Sequence, residues 1–472
     1  MGYDRYDGKK KGEEGRRGKY SITLLLLYIC ALSMGIAYGA HVPLVPVFAR
    51  EVLDATYTEV GMIGMANYIP YAFFPFMVGL LLDRINKGSI LLSGVGMALA
   101  SIAMLSLARS VVDLALIRAF SGIAHAFFWP SAEAIISMSM RVDRYSKDLE
   151  RDGSYSSSSN SSSSSGGRDK GSSNSSNSNS NSNSGSGSGS SSNGSSLSSV
   201  RSISRFTMAW VSGYMIGPLI GSSLFHLGYL QLFIYSSTMI IPALVCSIII
   251  ILLSMKKGYP DYSIKNGQEE EKGRIGISKA HLTLMSLVKG RIMLIAMIMY
   301  YSASFAILLS IVPSYMKDNG VDEQLIGILF FIFGIARLLT LLSIQLFARY
   351  EHISILIASS AIASSMLIMH TAPTPPSFGV ALLALGFAFS IYFPITLTML
   401  TRYVPITMIG SMVGLYETVF GIGWALGPIA SGVVADAFSI DAPYLAMFFV
   451  GIVIIPLYTI LRLKDGTITK QA

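Results

Sequence analysis

The stretch GYMIGPLIGS, residues 213–222, returns in substance about 210 residues later as GWALGPIASG, residues 423–432. In a soluble helix either would be a poor choice, because an interior Gly costs roughly 1 kcal/mol and Pro about 3 kcal/mol relative to Ala. Both lie in apolar surroundings. There, Gly at four-residue spacing leaves a smooth face that another helix approaches closely, and neighbours re-satisfy the backbone hydrogen bond that Pro removes. The pair points to helices packed inside a bilayer and to a chain built from two related halves.

Composition agrees. Of 472 residues, 52% are hydrophobic and only 13% charged, against roughly 25% charged in ordinary soluble domains. Runs of about 20 apolar residues, long enough to cross a hydrocarbon core, recur at 21–46, 58–82, 89–108, 111–138, 204–228, 231–255, 291–316, 323–348, 353–371, 377–400, 407–435 and 443–462. The expected fold is all-α, a polytopic membrane protein with twelve transmembrane helices in two six-helix repeats. The first span follows a basic tail and has no small-residue cleavage site after it, so it reads as a retained span. Cys30 and Cys246 both fall inside spans, and no disulfide or metal-ligand spacing is present. No cofactor is expected.

The net charge of +8 raises the question of nucleic acid, and its placement answers it. Lys and Arg concentrate in the tail DGKKKGEEGRRGK, the turn DRINKG, the region after span 4, the loop MKKGYPDYSIKNGQEEEKGR and the end LRLKDGTITK. Alternate connections hold few. Basic short loops mark the cytoplasmic face, which places both termini inside a plasma-membrane protein whose partner is the lipid bilayer.

The halves superpose in sequence. GIAHAFFWPSA at 122–132 lies over GFAFSIYFPIT at 386–396 with an offset of 264, and Gly217-Pro218 lies over Gly427-Pro428 with an offset of 210. The difference is close to the length of a Ser/Asn/Gly tract at 153–200, which is inserted between spans 4 and 5. Such a tract lacks apolar groups to offset its ordering entropy and is expected to be a disordered linker. The organisation expected is a basic tail (1–20), an N-terminal bundle (21–255) with a cytoplasmic insert (145–200), a central loop (256–290), a C-terminal bundle (291–464) and a short tail (465–472). Paired six-span repeats are a transporter architecture, with the substrate site near mid-membrane between them.

Three local patterns carry a more specific reading. GLLLDRINKGS, after span 2, resembles the loop signature of the major facilitator superfamily at Gly79, Asp83, Arg84 and Lys87, with Asn86 in place of a Gly; Asn tolerates a left-handed turn better than most residues. RAFSGIAHA in span 4 is similar to the fourth-span signature at Arg118 and Gly122, with Ser121 replacing Gln. GYMIGPLIGS resembles the fifth-span antiporter signature at Gly213, Gly217, Pro218 and Gly221. Its echo in span 11 is carried by Gly423, Gly427 and Pro428. The resemblance implies a gate at the span 2 loop, a span 5 that seals the halves against leakage with span 11 as a partner surface, and a proton-coupled exporter of small molecules working by alternating access, expected as a monomer. It also implies departures: Gln345 and Arg349 replace the gate motif in the second half, and Met138 stands where an acid of the gate network is usual.

Charges inside spans are costly and mark functional positions. Helical spacing places Arg118, Gly122, His125 and Trp129 along one stripe of span 4, with Glu133 at its margin. For His125 and Trp129 plain interhelical packing is the alternative. Glu417 in span 11 and Glu133 are the candidates for proton coupling, with a structurally satisfied carboxylate as the other reading of Glu417. Arg337, Tyr71 and Tyr392 are candidate cavity residues, with Tyr300 and Tyr301 beside them. No phosphate-binding loop or extramembrane domain supports an ATPase, and no acid, His or metal cluster supports a membrane enzyme. A symporter or uniporter on the same fold, or a non-transporting sensor, are the remaining alternatives.

Overall fold

The computed structural model describes residues 3–82, 85–158, 191–255, 291–401 and 409–468. Asp83 and Arg84 of the gate motif, the centre of the Ser tract and the central loop lie outside them. The spanning helices are α1 (Tyr3–His41), α2 (Tyr57–Leu82), α3 (Lys87–Met104), α4 (Val111–Ser158), α5 (Ser191–Leu224), α6 (Ile241–Met255), α7 (Ile292–Ser310), α8 (Glu323–Leu342), α9 (Glu351–Thr371), α10 (Pro375–Thr401), α11 (Ile409–Ala437) and α12 (Ala442–Ile468). Among the described residues eleven spans are long and apolar enough to cross a membrane. The twelfth is α2, whose 26 residues carry a single charge, Glu59, in the first turn. Helices α4 and α5 run into the Ser tract from either side, to Ser158 and from Ser191.

Several expected spans are broken near their ends, and Pro is the common cause. The ring clashes with the carbonyl four residues back and removes a donor. Span 6 is a helix at Tyr229–Thr238, a turn, and then α6, with Pro242 one residue into α6. The first helix of each half ends the same way: α1 gives way at Val42-Pro43 to a short helix, Val45–Val52, and α7 at Val312-Pro313 to another, Val312–Asp318.

The two halves are built alike. In the first, α5 packs on α1 and α4 on α2; in the second, α11 packs on α7 and α10 on α8. They meet through α2 against α11 and α5 against α8. With twelve spans both termini lie at one end, called here the tail end; the connections after the odd-numbered spans form the far end.

The small-residue faces decide the closest crossings. A Cβ on Gly213 would come 2.2 Å from the Leu32 carbonyl oxygen, one on Gly217 2.6 Å from Gly39 Cα, and one on Gly221 1.9 Å from the Ala40 carbonyl oxygen. The Gly face of α5 is therefore laid on α1 in its own half. In α11, Gly423 and Gly427 face Ser302 and Ala303 of α7. This corrects the expectation that these two Gly faces are partner surfaces for each other across the halves. The halves instead meet on the Pro sides: Gly327 of α8 sits against Ser222 and the Pro218 carbonyl, and Gly61 of α2 against the Pro428 carbonyl. Gly122 of α4 is equally constrained, since its Cβ would come 2.0 Å from the Asn67 carbonyl oxygen of α2.

Candidate functional site

Between the halves lies a cavity of about 190 Å³. It is reached by side chains from α1, α2, α4 and α5 on one side and α7, α8, α10 and α11 on the other. Of the residues singled out from sequence, Tyr71, Arg118, His125, Trp129, Glu133, Tyr301, Arg337 and Glu417 all line it. Gly122 does not line it and sits against the Asn67 backbone of α2. All three Trp of the chain, Trp129, Trp210 and Trp424, line it as well.

Two carboxylates reach this space, Glu133 from the first half and Glu417 from the second. The Tyr71 hydroxyl donates to Glu417 Oε2 at 3.2 Å, which links α2 of the first half to α11 of the second. Glu417 is near enough for its charge to act on Glu133.

Two cations, Arg118 and Arg337, line the same cavity, and Tyr301 lies within electrostatic range of both Arg337 and Glu417. Arg118 is 5% exposed and within electrostatic range of Tyr38, Tyr68 and Tyr214. Arg337 stacks over Phe305 and Phe333, 5.3 and 5.6 Å from their centroids. His125 belongs to the wall: its ring lies 4.2 Å from Tyr38 and also meets Trp210. Trp129 packs on Phe206 and Trp210, so both residues line the space and pack together. Ser121, in the place of the family's Gln, shares a 3.3 Å hydrogen bond with Tyr38.

Tyr392 is a correction. It is fully buried one layer behind the cavity, stacked 4.7 Å from Tyr301 and hydrogen-bonded to Ser359 at 2.6 Å. Tyr300 is likewise buried and does not line the space. At the gate loop Lys87 Nζ donates to the Leu82 carbonyl at 2.9 Å. Asn86 does not adopt the expected left-handed turn; at φ −57° it caps α3, accepting from Gly88 N at 2.9 Å.

Sequence reading missed Asn67, Tyr68, Trp210 and Tyr214 in the cavity and a polar network at the far end. Arg50 pairs with Asp318 at 2.9 Å, Lys317 with Glu51 at 3.1 Å and with Glu323, and Tyr57 donates to Asp318 at 2.8 Å. Asp436 of α11 accepts from the backbone N–H groups of Tyr57 and Thr58 at 3.1 and 2.6 Å. A carboxylate from one half thus caps the first turn of α2 in the other, where orphan N–H groups and the helix dipole favour it. Burial alone would lower the Lys317 pKa, and hydrogen bonds to Glu323 and Glu51 outweigh it, so the net direction is up. The signal for this network was present in the sequence: Val42-Pro43 and Val312-Pro313 each precede a charged pair, Arg50-Glu51 and Lys317-Asp318.

The structure resembles solved transporters at low sequence identity. A mutant form of the nucleoside transporter NupG superposes with a TM-score of 0.68 at 14% identity, covering 93% of this chain and 99% of that one. A POT family transporter in complex with a thioalcohol-conjugated peptide gives 0.68 at 12%, covering 93% and 96%. A bacterial homologue of the human lysosomal transporter Spinster, inward-facing and occupied, gives 0.62 at 13%, covering 94% and 98%. No curated protein sequence matches the chain. The sequence profile of the Major Facilitator Superfamily matches residues 27–149, 199–416 and 293–471. With two six-helix halves meeting around a cavity and a profile spanning nearly the whole chain, the protein belongs to the Major Facilitator Superfamily of membrane transporters.

Proposed function

We propose that the protein is a proton-coupled secondary transporter of the plasma membrane, with the tail end cytoplasmic, and that Glu417 and Glu133 carry its protons. One observation supports this above the rest: two carboxylates, one from each half, face a single cavity, and Tyr71 hydrogen-bonds one of them across the interface between the halves. A membrane carboxylate in that position changes its proton occupancy as the halves move and the cavity exchanges one aqueous phase for the other. The far-end network holds one side shut, and cycling breaks it.

The direction drawn from the span 5 resemblance is export, with substrate leaving in exchange for protons. That requires substrate and proton to exclude one another at the carboxylates. A second reading has its own support in Arg118 and Arg337, which favour an anion travelling together with protons. Purified protein in liposomes, given a pH gradient of either sign, distinguishes the two by the sense of substrate movement.

Glu417→Gln mimics the protonated state permanently. It is expected to lose gradient-driven transport while remaining inserted and retaining exchange without a gradient. Wild-type rate and wild-type pH dependence in that variant would make Glu417 structural and leave Glu133 as the proton carrier.

A further inference from the structure

The polar groups of the cavity are unbalanced. Arg118 Nη1, Arg337 Nε, the Tyr214 hydroxyl and Trp424 Nε1 are all buried without a hydrogen-bond partner, and all belong to residues that line the same space. Among the described residues lining it, the one partnerless atom that can only accept is Asn67 Oδ1. The pairs Arg50–Asp318, Lys317–Glu51, Lys317–Glu323 and His370–Asp441 lie at the far end, and none of them includes Arg118 or Arg337. Buried cations without a counter-ion are costly, and the cost is recovered when an anion with good geometry arrives.

We propose that Arg118 and Arg337, one from each half, form the positive pole of a binding site for a small organic acid, its carboxylate held by the guanidiniums and Tyr214 and its apolar body by the aromatic walls. Tyr214 stands within electrostatic range of both guanidiniums, so the two charges act on one volume. The packing of Arg337 against Phe305 and Phe333 leaves its N–H edge for the ligand, as guanidinium stacking generally does. Around Arg118 the neighbours from α1, α2, α4 and α5 are Tyr38 and His41, Tyr68, His125 and Tyr214, with no carboxylate among them. The acids, Glu133 and Glu417, are the negative pole of the same cavity. When both are neutral the two cations are uncompensated, and an anion restores the balance. A cavity of about 150 Å³ admits a benzene-sized body, so one ring with a short acidic arm suits the space available here.

This inference rests on reading the cavity as the transport site, and a binding measurement separates the two. The chain's three Trp all line the cavity, so their fluorescence reports occupancy directly in the full-length protein in nanodiscs. Three probes of one shape are titrated: phenylacetate, phenylacetamide and phenethylamine. Phenylacetate is expected to quench saturably and to bind at least about tenfold more tightly than the neutral amide or the cation. Arg118→Gln and Arg337→Gln each weaken phenylacetate by a similar factor, and Arg→Lys at either position recovers part of the loss. Equal affinity for the three probes, no saturable quench by phenylacetate, or Gln variants that bind like wild type would each overturn the proposal. The wild-type comparison of probes decides even where an Arg variant does not fold. Loss of proton coupling in Glu417→Gln with no preference for phenylacetate would leave the transport reading standing and remove this one.

Discussion

At Gly221 a single methyl group has nowhere to go, because the Ala40 carbonyl oxygen would lie 1.9 Å from the added carbon. A backbone atom cannot step aside as a flexible side chain can. Gly221→Ala is therefore expected to separate α5 from α1 and destabilise the protein by about 1–3 kcal/mol, the usual range for overpacking, read as a lower melting temperature of the detergent-solubilised protein. Gly96 of α3 is the control: nothing lies within 4 Å of its added Cβ, and Gly96→Ala should be neutral or stabilise by about 0.5–1 kcal/mol. Equal effects of the two would refute the close-crossing argument. Residue identity made Arg118, Glu133, Arg337 and Glu417 legible, because charge inside a span demands an interior position. Tyr392 was misplaced for the complementary reason. A Tyr satisfies its hydroxyl as readily behind a wall, against Ser359, as on its surface.

At the scale of elements, the far ends of α1, α2, α7, α8 and α11 are tied by short charged links that no single span announces. Arg50, Asp318, Lys317 and Glu51 are all partly exposed, between 27% and 35%. Exposed pairs of this kind contribute about 0.2–1 kcal/mol each, so the links add little to folding, and on the function proposed above they serve as a latch. Lys317→Ala combined with Asp318→Asn should shift the population toward states open at the far end by up to about tenfold, the equivalent of roughly 1.4 kcal/mol, with little change in melting temperature. A single Cys at Val42, which lines the cavity beneath the latch, in a background without Cys30 and Cys246, would report this as faster labelling by a membrane-impermeant thiol reagent. Unchanged labelling would remove the latch from the mechanism. Asn86 belongs to this scale too. The Gly-to-Asn departure in the gate loop is accommodated by helix capping, a local hydrogen bond that needs ordinary backbone and no positive φ.

For the whole molecule, the family profile passes from residue 149 to residue 199 without matching what lies between, so the shared fold does not include the Ser/Asn/Gly tract. Deleting residues 159–190 is expected to leave insertion and transport unchanged within about twofold, since loop closure varies by only about 0.6 kcal/mol per doubling of length. Normal insertion with lost transport would assign the tract a binding or regulatory role. The number of spans, the duplication and the small-residue helix faces were determined by sequence alone, because hydrocarbon thickness sets run length and close crossings demand Gly. Periodicity states which residues share a face of a helix and does not state which helix that face meets. Only the tertiary structure decided that the Gly faces of α5 and α11 turn to α1 and α7 while their Pro sides join the halves. The same is true of the cavity, where Glu133, Arg118, Arg337 and Glu417, up to 299 positions apart in the chain, are brought together by packing between helices that share no local signal.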